Sequence, residues 1–169
     1  MAWKRNILVV ANITATSEEL LDELRERAAK EPTAFTLIVP ATSAPQGRQT
    51  AAEKATAAIG QLRADGLEAD GGVGDHDPLI AVTEAWDPKR YDEIIVSTLP
   101  TAMSKWLQTD LPHRVEKLTG APVTHVIAMP ARHDMETSSP KAHTHHGVMT
   151  PLTVLGWGRA PGHGAQAGR

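Results

Sequence analysis

The sequence predicts an α/β domain: a three-layer, doubly wound sheet of five parallel strands, followed by a mobile C-terminal tail. Three observations carry that expectation. Short, unbroken apolar runs recur at residues 6–12, 34–40, 92–98 and 123–129. They lack the alternation of a half-exposed strand and are too short for buried helices, which fits strands covered on both faces. Stretches with helical periodicity separate them, and beyond residue 130 the pattern stops. Residues 1–130 therefore read as the folded domain and residues 131–169 as the tail.

The elements follow in order. Residues 6–12, NILVVAN, form the first strand. Thr16-Ser17-Glu18-Glu19 fits a capping box, with Thr16 bonding the amide of Glu19. The helix over 17–30 places Leu20, Leu21, Leu24 and Ala28 on one side. Pro32 and Thr33 break it, and AFTLIVP is the second strand. The turn formers of ATSAPQGRQ make a loop before a second helix over 50–65, whose stripe is Ala51, Ala55, Ile59 and Leu62. Gly66 stands where a C-terminal cap belongs. Residues 67–73 form a weak strand containing Gly71 and Gly72, suited to a sheet edge. Asp77 as N-cap with Pro78 at the first helical position opens a third helix. The fourth strand covers 92–98. A helix over 111–119 buries Leu111, Val115 and Leu118, Gly120 closes it, and the fifth strand covers 123–129.

Composition narrows the function classes. The net charge is −3 with no basic run, which argues against nucleic-acid binding. The absence of cysteine removes disulfides, thiolate catalysis and Cys-ligated zinc. The apolar stretch near the start is too short for a signal peptide and nothing approaches a membrane span, so the expected location is the cytoplasm.

Open α/β sheets bind ligands beyond the carboxyl ends of their strands. The elbow after the fourth strand is accordingly the expected ligand site. Its polar set is Ser97, Thr98, Ser104, Lys105, Asp110 and Arg114, with Asp110 as the helix N-cap. Amides at a helix start and nearby cations favour an anion, so a small phosphate-bearing ligand is the expected partner. No catalytic set is visible, no cofactor is specified, and no metal site is assigned. Asp75, His76 and Asp77 read as a strand-to-helix turn, and His125 as a hydrogen-bonded core residue. His143, His145 and His146 cluster in the tail, where residues 148–157, VMTPLTVLGW, form an apolar island fit to dock a partner or a second subunit.

The segment STLP…SKWLQTDLPHRVEKLTGAPVTHV resembles the corresponding part of universal stress proteins, a group of adenine-nucleotide-binding α/β domains. Pro122-Val123 matches the opening of the last strand, and Arg114 falls at a commonly basic helix position. Ser97 and Pro100 replace the two glycines of the phosphate loop, and the Gly-Ser pair is replaced around Thr109-Asp110, so the usual ATP-binding glycine motif is absent. STLP-x3-SKWL-x2-D is also similar to small bacterial proteins of this architecture, a likeness that carries no activity. The resemblance implies strand order 3-2-1-4-5, facing loops after strands 1 and 4, Asn12 near a ligand, and a homodimer. The functional expectation is a non-catalytic small-molecule-binding or stress-response protein. The alternative is a scaffold whose tail recruits a partner.

Overall fold

The computed structural model describes residues 3–100 and 102–129. The tail beyond residue 129, with its histidine cluster and apolar island, lies outside the described residues. Five strands form one parallel sheet: β1 (Arg5–Val10), β2 (Thr33–Pro40), β3 (Glu68–Gly74), β4 (Glu93–Thr98) and β5 (Val123–Ile127). Their order is β3-β2-β1-β4-β5, as expected. Five helices connect them: α1 (Glu18–Lys30), α2 (Gly47–Ala64), α3 (Pro78–Ala85), the single turn α4 (Lys105–Gln108) and α5 (Leu111–Thr119). Among the described residues no helix is long and apolar enough to cross a membrane.

The order follows from handed crossovers. β1, β2 and β3 step one way, and the chain then returns to the other side of β1 for β4 and β5. Right-handed connections put helices made in opposite steps on opposite faces. One face buries Ile7, Val9, Phe35, Leu37 and Ile95 against Leu20, Leu21 and Leu24 of α1 and the alanine stripe of α2. The other packs Leu8, Val10, Ile94 and Val96 against Val82 of α3 and Leu111 and Val115 of α5. Each fully buried Leu, Ile or Val contributes about 1.5–3 kcal/mol. The three central strands carry most of that burial, which is why they read as continuous apolar runs.

Several local expectations need correction. Ser17, not Thr16, caps α1, its Oγ accepting from the Leu20 amide at 3.3 Å. Both residues precede the glutamates, and the turn held by Ser17 N–H to Thr14 O at 3.1 Å decides between them. α2 begins at Gly47, three residues before the expected start, and Gln46 supplies no side-chain cap to announce it. Leu118 is 57 % exposed rather than buried. α5 lies over the last strands of the sheet, so its outer side has no strand beneath it. β3 is the edge strand expected from its glycines, and Gly71 has a specific reason to be there. Its φ is 141°, and a Cβ would meet Leu37 O at 1.9 Å.

The amino ends of the strands carry a network that sequence reading missed. Glu93 is 2 % exposed. Its Oε2 accepts from Arg5 Nη2 at 2.9 Å and Arg27 Nη1 at 2.7 Å, and its Oε1 accepts from Thr124 Oγ1 at 2.7 Å. Arg27 also donates to Thr124 Oγ1 at 3.0 Å and Glu23 at 2.9 Å, and Arg5 to Glu31 at 2.8 Å. The guanidinium of Arg5 is held more firmly charged than a free one, chiefly by the Glu31 hydrogen bond and then by Glu93. One carboxylate thus joins β1, α1, β4 and β5. Replacing it leaves two cations facing a site shaped for an anion, a loss somewhat below that of a fully buried pair because both arginines reach solvent. Glu93→Gln should lower the unfolding free energy by about 2–3 kcal/mol. Urea titration checks this, and an unchanged midpoint would contradict it.

Candidate functional site

The site is built where β1 and β4 end side by side. After β1 the chain turns tightly, with Ala15 N–H bonded to Asn12 O at 3.1 Å. This turn brings the buried Thr14 over the end of β4. Thr14 Oγ1 donates to Ser97 O at 3.2 Å, and Ser97 Oγ donates to Thr14 Oγ1 at 2.8 Å. The two loops are therefore clipped together. One residue on, Thr98 Oγ1 donates to Leu99 O at 3.0 Å and lies 2.7 Å from His125 Nε2. The hydroxyl has one proton, and the imidazole tautomer sets whether Nε2 donates to Thr98 or accepts from it.

Beyond β4 the elbow turns on bonds within itself. Pro100 O accepts from the amides of Met103 at 2.8 Å and Ser104 at 3.1 Å. The buried Ser104 Oγ accepts from Leu107 N–H at 3.3 Å and caps α4. Between the two loops lies a cavity of about 230 Å3. Its polar wall is Asn12, Thr14, Ser97, Thr98, Ser104 and Lys105, and its apolar wall is Ile13, Leu99, Met103 and Trp106.

The structure thus brings Asn12, Ser97, Thr98, Ser104 and Lys105 to one cavity and leaves Asp110 and Arg114 outside its wall. Asp110 does precede α5, but its side chain makes no cap bond. The reason is backbone geometry: α4 closes with Asp110 N–H on Leu107 O at 3.1 Å, which puts Asp110 in the left-handed region at φ 51°. A capping residue needs extended backbone instead. Arg114 follows on the exposed face of α5. Thr14 and Trp106 were not anticipated as wall residues. Thr14 offered a faint signal, a hydroxyl two positions after Asn12 in the facing loop. Trp106 offered a clearer one, a large aromatic beside Lys105 in an otherwise polar elbow.

The other titratable clusters have structural roles. Asp77 Oδ1 accepts from the amides of Leu79 at 2.8 Å and Ile80 at 3.4 Å. Asp75 Oδ1 accepts from the Asp77 amide at 2.9 Å and pairs with His76 Nδ1 at 2.9 Å. Among the described residues no group of three or more His, Asp or Glu is placed to hold a metal.

With this geometry in view, the likeness to solved structures is informative. A universal stress protein from Archaeoglobus fulgidus in complex with dAMP superposes with a TM-score of 0.56 at 14 % identity, covering 75 % of this chain and 99 % of that one. A universal stress protein in complex with cAMP gives 0.53 at 18 %, covering 76 % and 100 %. An Arabidopsis thaliana universal stress protein family protein with AMP bound gives 0.51 at 13 %, covering 74 % and 92 %. The chain has the universal stress protein fold. No family model matches it, and no curated protein matches its sequence.

His125 is half-buried, and burial lowers its pKa below the ordinary value. The neutral imidazole is then the form the fold favours. That stability is complete above the unfolded histidine's pKa, about 6.5, and is lost as pH falls through the lower folded value. His125→Gln keeps a donor to Thr98 without the titration. The stability of the wild type relative to this variant should fall as pH drops below about 6.5. Denaturant midpoints on both sides of that pH check it, and a constant difference would contradict it.

Proposed function

We propose that this is a non-catalytic, small-molecule-binding protein of the stress-response type, with its ligand in the cleft between the loops after β1 and β4. The observation that carries the reading is the position of that cavity. It lies at the carboxyl ends of adjacent strands where the winding reverses, the usual binding place in an open α/β sheet. Asn12, Ser97, Thr98, Ser104 and Lys105 are the ligand-binding candidates. The complexes of three structural neighbours with dAMP, cAMP and AMP support a phosphate-bearing ligand.

The non-catalytic part rests on proton accounting. Thr14 and Ser97 spend their hydroxyl protons on each other and on Ser97 O, and Thr98 spends its own on Leu99 O or His125 Nε2. A nucleophile needs a base poised to take its proton. His125 Nε2 lies 2.7 Å from the Thr98 hydroxyl, but none of the hydrogen bonds found for it orients its other nitrogen, as a catalytic base requires. The cytoplasm is the proposed location.

Thermal-shift measurements with AMP, dAMP, cAMP and ATP test the binding reading. An excess of about 100-fold over Kd stabilises by about 2.7 kcal/mol, so a clear rise in Tm is expected for at least one nucleotide at millimolar concentration. No rise with any of them would remove the nucleotide reading.

A second reading, an interaction module, has its own support. Leu118, Ile127 and Met129 are 57, 54 and 42 % exposed, the last two at the end of edge strand β5. Exposed apolar residues on α5 and at the end of an edge strand favour association, here as a homodimer. Ile127→Lys with Leu118→Lys should yield a monomer by light scattering if that edge is the contact. The same mass for wild type and variant would count against it. The tail is proposed to recruit a partner, and pull-downs with and without residues 142–169 should then differ.

A further inference from the structure

We infer that the cavity selects a ligand with a single anionic group on a flat, largely apolar body, and that further phosphates add no affinity. This rests on the binding reading above and names the chemistry of its ligand. Three observations combine.

The first is the charge count. Among the described residues Lys105 is the only charged one in the cavity wall. Its ammonium is exposed and has no ion-pair partner among the described residues, so it is available to one anionic group. The second is the state of the elbow backbone. A chain of phosphates is normally held by a row of free amides. Pro100 has no amide, and the amides of Met103, Ser104 and Leu107 are used within the elbow, which breaks any continuous row among the described residues. α4 is a single turn and adds no helix dipole of consequence. The third is the hydroxyl inventory. Thr14, Ser97 and Thr98 have committed their protons within the protein and can only accept. Ser104 accepts from Leu107 N–H and retains its own proton for a ligand. An anion therefore finds Lys105 Nζ and the Ser104 hydroxyl. A second or third phosphate finds acceptor oxygens or solvent.

The remaining wall matches the rest of such a ligand. Ile13, Leu99, Met103 and Trp106 present apolar surface, and Trp106 offers a ring to stack on. At about 230 Å3 the cavity is smaller than the roughly 300 Å3 at which drug-sized sites begin, which favours a compact ring system. The single anion can be a monophosphate or a carboxylate.

Calorimetric titration of the full chain with AMP, ADP, ATP and 2-naphthoate, without magnesium, distinguishes these sources. Binding of AMP, of 2-naphthoate or of both is expected, with ADP and ATP no tighter than AMP. Lys105→Met should weaken the binding probes about tenfold, the scale of one charge-assisted contact. Lys105 is exposed and holds no structural bond, so the variant should fold. Affinity rising from AMP to ATP would overturn the inference and leave the binding reading intact, as would unchanged affinities in Lys105→Met. Absence of binding by all four probes would overturn both.

Discussion

The shared carboxylate of Glu93 is the constraint on which the arrangement of this sheet depends. β1 and β4 are the two strands between which the winding reverses. At their amino ends Glu93 holds Arg5 of β1, Arg27 of α1 and, through Thr124, β5. At their carboxyl ends the hydroxyls of Thr14 and Ser97 close the same seam. A buried carboxylate is costly unless its lone pairs are used. Here three donors use them, and they come from three different elements. The pairing of β1 with β4 is thereby specified by polar chemistry as well as by apolar burial. Hydrophobic contact alone tolerates sliding of similar strands, because Ile, Val and Leu occupy most positions on both.

The cavity follows from this seam. Strands held parallel and in register deliver their following loops to the same level. The β1 loop turns one way and the β4 elbow the other, because their crossovers run to opposite faces. What fills the gap is then decided by the side chains of a few loop residues. The elbow uses Pro100 O as an internal acceptor and Ser104 as an internal cap. It is a turn bonded within itself in a place where a glycine-rich loop would leave its amides free.

Much of this was legible in the sequence, for physical reasons that also mark the limit. Strands buried on both faces announce themselves as apolar runs, and Asp77-Pro78 announces α3 because capping chemistry is local. Ser97, Thr98, Ser104 and Lys105 were placed by the rule that ligands bind beyond strand carboxyl ends, and Asn12 by the resemblance to universal stress proteins. Leu118 kept helical period with Leu111 and Val115, but period does not say where the sheet beneath a helix stops. Asp110 had the right residue type for a cap. Whether its backbone was extended depended on α4, a turn too short to leave a periodic trace. Glu93 was visible as a charge at the head of a buried strand, yet Arg5 and Arg27 stand 88 and 66 residues away. No local pattern connects them.

That separation bears on the order in which the chain can become a protein during synthesis. β1 is the central strand and leaves the ribosome early, but its neighbour on one side is still untranslated. Until residues 93–98 emerge, Arg5 and Arg27 have no shared anion, and one edge of β1 is open along Ile7 to Val10. α1 and β2 can settle on the other side meanwhile, since their contacts close short loops at small entropic cost. The nascent half-sheet is thus an unfinished edge whose two arginines have only the glutamates of α1 and the residue after it for partners. The carboxylate that completes the fold arrives only when the strand able to cover that edge arrives with it.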